Sequence, residues 1–162
     1  MASKGAPKQV LTEDHDLFRK VRIGIVTASW NPEITGKMLN GALEYLRSKG
    51  IKDKNITFIS VPGSFELPLG ASLLAKMKNM DGVIALGCII QGETRHFEFI
   101  ASACASGIMQ VNMEHKKPVA FGVLTTENHR QARERAGGKH GNKGSEAAES
   151  VLTMLRLADE IS

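Results

Sequence analysis

The stretch "GCIIQGETRHFEFI", residues 87–100, holds the residue types and spacings best suited to chemistry. Gly87 and Gly92 have the G-x-x-x-x-G spacing of a phosphate-binding loop, and Thr94 stands where that loop has Ser or Thr. Glu93 stands where the loop has lysine, and a carboxylate there repels the phosphates of a nucleotide. The segment still reads as a strand, a turn and a helix start. Backbone N–H groups at Gly92, Glu93 and Thr94, with the Thr94 hydroxyl, can hold one small phosphate. His96 falls on the first turn of that helix, where an imidazole can move protons near neutral pH. A lone histidine can also be purely structural, so the segment alone leaves both roles open.

Three other segments carry unusual residues. In "SWNPEIT", Trp30 can stack on a planar heterocycle or pack over a sheet edge, and Asn31 can cap a helix or bond a ligand. In "VPGSFELP", Gly63 allows a turn before Ser64, Phe65 and Glu66 open a helix. Glu66 can accept hydrogen bonds from polyol hydroxyls or stabilise that helix as a cap. In "ERAGGKHGNKGSE", Arg135, Lys139 and Lys143 can neutralise a phosphate or an anionic ring, or belong to a solvated connection. His15, His115, His129 and His140 have no metal-ligand spacing, so no metal is expected. No G-x-S-x-G nucleophile elbow occurs.

The elements that must position these residues alternate in type. Apolar runs predict strands over 21–29, 56–61, 82–90 and 118–125. Helical spacing predicts helices over 34–50, 65–79, 96–114, 128–137 and 145–161, with Gly50 as a C-cap and Pro68 confined to a first turn. Such alternation predicts a single-domain three-layer α/β/α sandwich around a mainly parallel four-stranded sheet. The near-continuous apolar strands agree, because central parallel strands are covered on both faces. Ligands of such sheets bind beyond the carboxyl ends of the strands. The four strands are followed by "SWNPEIT", "VPGSFELP", "QGETRHF" and "TTENH", so unusual residues fall repeatedly at that end of the sheet, which weighs more than any one motif.

Composition bounds the rest. The 162 residues, 42% hydrophobic and 23% charged, suit one soluble domain. The longest apolar run, Val83 to Ile90, is too short to span a membrane. Residues 1–18 lack a signal-peptide apolar stretch and are expected to be a mobile extension, with the domain over 19–162, in the cytoplasm. Cys88 and Cys104 fit neither a metal site nor a redox pair, and Cys88 suits a buried free thiol. A net charge of +4, with only 5% aromatics and scattered basic residues, suits a small anionic substrate or simple solubility rather than nucleic acid.

Taken together, "SWN", "VPGSFELP", "ALGCIIQGETRHFEFI", "KPVAFGVLTTEN", "RERAG" and "GNKG", in this order and spacing, resemble the lumazine synthase family from about Val21 to near the C-terminus. The resemblance implies a flavodoxin-like sheet, open to extension by an N-terminal strand from a neighbouring subunit. It implies condensation of 5-amino-6-(D-ribitylamino)uracil with 3,4-dihydroxy-2-butanone 4-phosphate, giving 6,7-dimethyl-8-ribityllumazine, phosphate and water without a cofactor. By the same resemblance, Trp30 (Phe in most relatives) stacks on the pyrimidine, which Ser64, Phe65 and Glu66 also hold. Cys88, Ile89 and Ile90 line that pocket and bond the ring through backbone atoms; Phe121 and Lys143 adjoin it. Glu93 and Thr94 bind the phosphate, with Arg135 as counter-charge, and His96 moves protons. Gln91 stands where many relatives have Arg, removing one charge near the phosphate loop, and Gly138 where many have Thr. The resemblance also implies a homo-oligomer, a pentamer that can close into an icosahedral 60-mer, with riboflavin synthase as a candidate partner and the active site shared between neighbouring chains. The competing reading is a non-catalytic riboflavin- or lumazine-binding storage shell.

Overall fold

A computed structural model describes residues 15–162. Residues 1–14, where most of the expected N-terminal extension falls, lie outside the described residues. A single helical turn, α1 (His15–Phe18), leads into β1 (Ile23–Ala28), and Phe18 is buried in the core. There follow α2 (Pro32–Ser48), β2 (Ile56–Val61), α3 (Leu67–Ala75), β3 (Gly82–Ile90), α4 (His96–His115) and β4 (Val119–Thr126). The chain ends with α5 (His129–Arg135), a hairpin of β5 (Ala136–Gly138) and β6 (Gly141–Asn142), and α6 (Lys143–Glu160).

The four long strands form one parallel sheet in the order β2-β1-β3-β4. This is the expected flavodoxin-like three-layer α/β sandwich. Every residue of β1 is buried, as are the first seven of β3, because both faces of the central strands are covered. Alternate side chains serve opposite layers. Ile25 and Leu86 join Met38, Leu46 and Leu152 beneath α2 and α6. Val26 and Ala85 join Leu67, Leu74 and Ile108 beneath α3 and α4.

Local chemistry sets the boundaries. Gly50, at φ 86°, ends α2 with a pair of hydrogen bonds: its N–H reaches Arg47 and the Ile51 N–H reaches Leu46. The helix predicted over 65–79 differs from the observed one. A 3₁₀ turn over Ser64–Glu66 precedes α3, with Pro68 in its first turn as expected, and α3 stops at Ala75. The Lys117 ammonium donates to the carbonyls of Ala75 and Met77 there, so the helix is capped by a distant cation instead of continuing. The glycine-rich stretch after α5 folds into the β5–β6 hairpin, helped by Gly137 at φ 101° and Gly141 at φ 82°. Asn142 then caps α6 by accepting from the N–H groups of Gly144 and Ser145, so that helix starts at Lys143 rather than at Ser145.

α6 lies against α2 at Gly144, where an added Cβ would fall 1.8 Å from the Met38 carbonyl oxygen. Gly144→Ala should therefore force α6 away from α2 and cost roughly 3 kcal/mol or more. Gly36→Ala, at a helical position with nothing within 4 Å, should instead stabilise by about 0.5–1 kcal/mol. Urea denaturation of the two variants beside wild type checks both signs.

Candidate active site

The chain leaves β1 through Ser29, Trp30 and Asn31. The Ser29 N–H and hydroxyl both donate to the Val61 carbonyl at the end of β2. Asn31 adopts the left-handed conformation, φ 55° and ψ 55°. Its side chain neither caps α2 nor stands free for a ligand alone: Nδ2 donates to the Cys88 carbonyl of β3 at 3.0 Å. Trp30 lies between these two tied residues and is 71% exposed. Its indole rests on Gly63, where an added Cβ would come 3.4 Å from Trp30 Cδ1 and 3.2 Å from Glu66 Oε2. Gly63 has an ordinary extended backbone, so its use here is close approach and not conformational freedom. Gly87 does the same for Ser64: a Cβ on it would sit 2.7 Å from the Ser64 hydroxyl.

These residues surround a cavity of about 430 Å³. Trp30, Asn31 and Gly63 line one part; Ser64, Phe65 and Glu66 come from the turn after β2. Cys88, Ile89 and Ile90 form the end of β3, and Gly92, Thr94 and His96 close the remaining side. Phe97 and Ile100 also line the cavity and were not singled out from the sequence. Their helical spacing beside His96 on α4 is the signal that could have found them. Among the described residues, no Lys or Arg lines the cavity, Glu66 is the one carboxylate and His96 the one imidazole. A second hollow, about 500 Å³, lies between α2 and the hairpin; it carries charges of both signs and none of the candidate residues.

The rest of the candidate set lies elsewhere. Glu93 is exposed on the loop but does not line the cavity. Phe121, half-buried on β4, packs against the core beneath α3 and α4. Arg135, at the end of α5, is bidentate to Glu146 at 2.6 and 2.7 Å and also donates to the His140 carbonyl. Lys143 approaches the same carboxylate at 3.5 Å. Glu146 is thus a partner that the sequence reading missed; its i,i+3 spacing from Lys143 was the visible hint.

Electrostatics follow from these contacts. Hydrogen bonding to Arg135 holds the Glu146 carboxyl below its ordinary value, and Glu146 raises Arg135 in return. Burial pushes the Cys88 and Cys104 thiols up to about 11, so both are inert thiols at neutral pH, as expected for Cys88. Cys88 faces the core with its side chain and offers the cavity its backbone. Among the described residues no cluster of His, Cys, Asp and Glu could hold a metal. Among them also, no helix is long and apolar enough to cross a membrane.

Fold and site together define a class: a flavodoxin-like α/β protein with a ligand crevice where the strand order reverses. The family model for 6,7-dimethyl-8-ribityllumazine synthase matches residues 20–159. A protein of that name from Cytophaga hutchinsonii is 59% identical over 132 residues, 82% of this chain and 83% of the relative. Another, from Sodalis glossinidius, is 51% identical over 141 residues, 86% of this chain and 90% of its own. The chain belongs to the 6,7-dimethyl-8-ribityllumazine synthase family.

The lowered Glu146 acidity has a consequence for stability. A carboxyl with a depressed folded pKa stabilises above its unfolded value, and that stabilisation is lost as pH falls through the folded value. Glu146→Gln should therefore lower the thermal midpoint at neutral pH and flatten its decline on the acid side. Melting curves taken from pH 7 down through the carboxylate range check this; an unchanged acid limb would remove Glu146 from the account.

Proposed function

We propose that the protein condenses 5-amino-6-(D-ribitylamino)uracil with 3,4-dihydroxy-2-butanone 4-phosphate. The products are 6,7-dimethyl-8-ribityllumazine, phosphate and water, in the penultimate step of riboflavin biosynthesis. Family membership supports this reading. The observation that carries it is the convergence of Trp30, the Ser64–Glu66 turn and His96 on one cavity. The indole supplies a stacking face for the pyrimidine, and Glu66 accepts from the ribityl hydroxyls. The Ser64 hydroxyl and the backbone of Ile89 and Ile90 add polar contacts to the ring. Gly92, Glu93 and Thr94 bring backbone N–H groups to the phosphate before α4. His96, exposed and without a side-chain hydrogen bond to any described residue, is placed to move protons as the amine attacks the ketone and phosphate leaves. Mixing the two substrates and following lumazine fluorescence with phosphate release tests the activity. A binding-only storage shell leaves the open imidazole without a task and is the weaker reading.

Among the described residues no Lys or Arg lines the cavity to meet a phosphate dianion, and Arg135 and Lys143 lie outside it. This favours a site completed by a neighbouring copy, with Phe121, Arg135 and Lys143 supplied across the interface. The exposed face of α4 fits such packing, because Phe99, Met109 and Met113 are 70%, 63% and 73% exposed along one stripe. We read the assembly as a ring of five that closes further into an icosahedral shell, in the cytoplasm, with riboflavin synthase as a candidate partner.

His96→Ala should lower turnover by about ten- to a thousand-fold with little change in substrate binding; wild-type turnover in that variant would end the assignment. His96→Ala and Arg135→Ala should each be nearly inactive alone. Unfolded together in equal amounts and refolded, they should regain activity at about a quarter of the interfaces, one half times one half for random assembly. Correctly assembled mixed rings without that recovery would show that each chain completes its own site.

A further inference from the structure

Asn31 does more than begin a helix. Its carbonyl accepts from the Ile34 and Thr35 N–H groups and the Thr35 hydroxyl, which anchors α2. Its left-handed backbone is a conformation that non-glycine residues adopt at a cost, and asparagine more readily than most. That conformation turns the side chain back across the crevice to the Cys88 carbonyl. The last β1–β3 pair is Thr27 with Leu86, so Cys88 lies beyond the ladder. Its carbonyl would otherwise face a partly buried gap without a strand partner. The Asn31 amide takes the place of the missing rung. On the other side of Trp30, Ser29 is bonded to Val61 of β2. The Trp30 backbone is thereby tied at both flanks, to β2 through Ser29 and to β3 through Asn31. The bond also assigns the amide: nitrogen must face Cys88, so Oδ1 turns away from that carbonyl.

We propose that Asn31 is a positioning residue, whose Nδ2–H hydrogen bond to the Cys88 carbonyl fixes Trp30 at a set gap from the end of β3, the gap that receives the heterocycle. The proposal rests on the functional reading above only for the identity of the stacked ring. A chain without this bond keeps its helix anchor, which is made by backbone atoms, but lets the loop after β1 move relative to β3. The pyrimidine substrate then meets a wider, softer slot. The phosphate-bearing substrate, bound at Gly92 to Thr94, is unaffected.

Two variants separate the bond from the backbone. Asn31→Gly relieves the left-handed strain and removes the amide, so it should hold its thermal midpoint while losing the clamp. Asn31→Asp keeps the size and the backbone preference but presents an acceptor to an acceptor. Trp30 is the only tryptophan, so its fluorescence in the free protein reports this loop alone. Both variants should show lower anisotropy and easier acrylamide quenching than wild type. In turnover, KM for the pyrimidine should rise about five- to tenfold, the loss of one hydrogen bond, with KM for the phosphate substrate unchanged. Wild-type anisotropy and quenching in both variants would overturn the clamp, whatever the kinetics. Product that binds wild type without quenching Trp30 would instead overturn the stacking role, and the free-protein signals would still decide the clamp.

Discussion

The structure depends on one geometric constraint: parallel strands must be joined by right-handed crossovers. The chain moves from β1 outward to β2, then back past β1 to β3 and on to β4. Opposite directions of travel put α2 on one face and α3 and α4 on the other. At the carboxyl ends of β1 and β3 the chain therefore departs to opposite sides, and the two central strands part without a segment between them. The cavity lies in that parting. The two hydrophobic layers that hold the sheet are thus also what keeps the crevice open.

An opening at the end of a sheet exposes backbone groups that the ladder would otherwise satisfy. Several are satisfied by side chains or by the next strand. Ser60 donates to the Thr27 carbonyl, Asn31 to that of Cys88, and the Gln91 N–H reaches Thr126. Glycines at 63 and 87 let Trp30 and Ser64 lie directly on neighbouring backbone, so the crevice is lined by side chains that touch each other's supports. Rigidity in the lining and access at the mouth come from the same set of short contacts.

Charge is arranged differently. Among the described residues that line the cavity, Glu66 and His96 are ionisable alongside the buried Cys88 thiol, while the guanidinium of Arg135 is held by Glu146 and the hairpin. That pair is partly buried and bidentate, which orients the guanidinium far more firmly than an exposed contact would. The arginine so oriented does not line the cavity of its own chain.

Much of this was legible in the residues. Apolar runs located the four strands, most clearly the central pair β1 and β3, because strands covered on both faces leave no alternation to confuse with a helix. Turn and cap residues put Trp30, Ser64 to Glu66 and His96 at strand ends, hence on one side of the sheet. The misplaced boundaries had different causes: α3 ends where Lys117, 42 positions on, reaches the Ala75 carbonyl, whereas α6 starts early because the adjacent Asn142 is a local cap that was overlooked. Asn31 looked like a cap or a ligand contact from its neighbours alone; its bond to Cys88 spans 57 positions. The Arg135–Glu146 pair, the hairpin around it, and Phe97 and Ile100 at the cavity wall were likewise unread. Periodicity, propensity and capping act over a few residues and are written in the sequence. Which strand lies beside which, and so which side chains meet across the crevice, is settled only when crossover geometry and the packing of both layers act together, so the tertiary structure alone decided it.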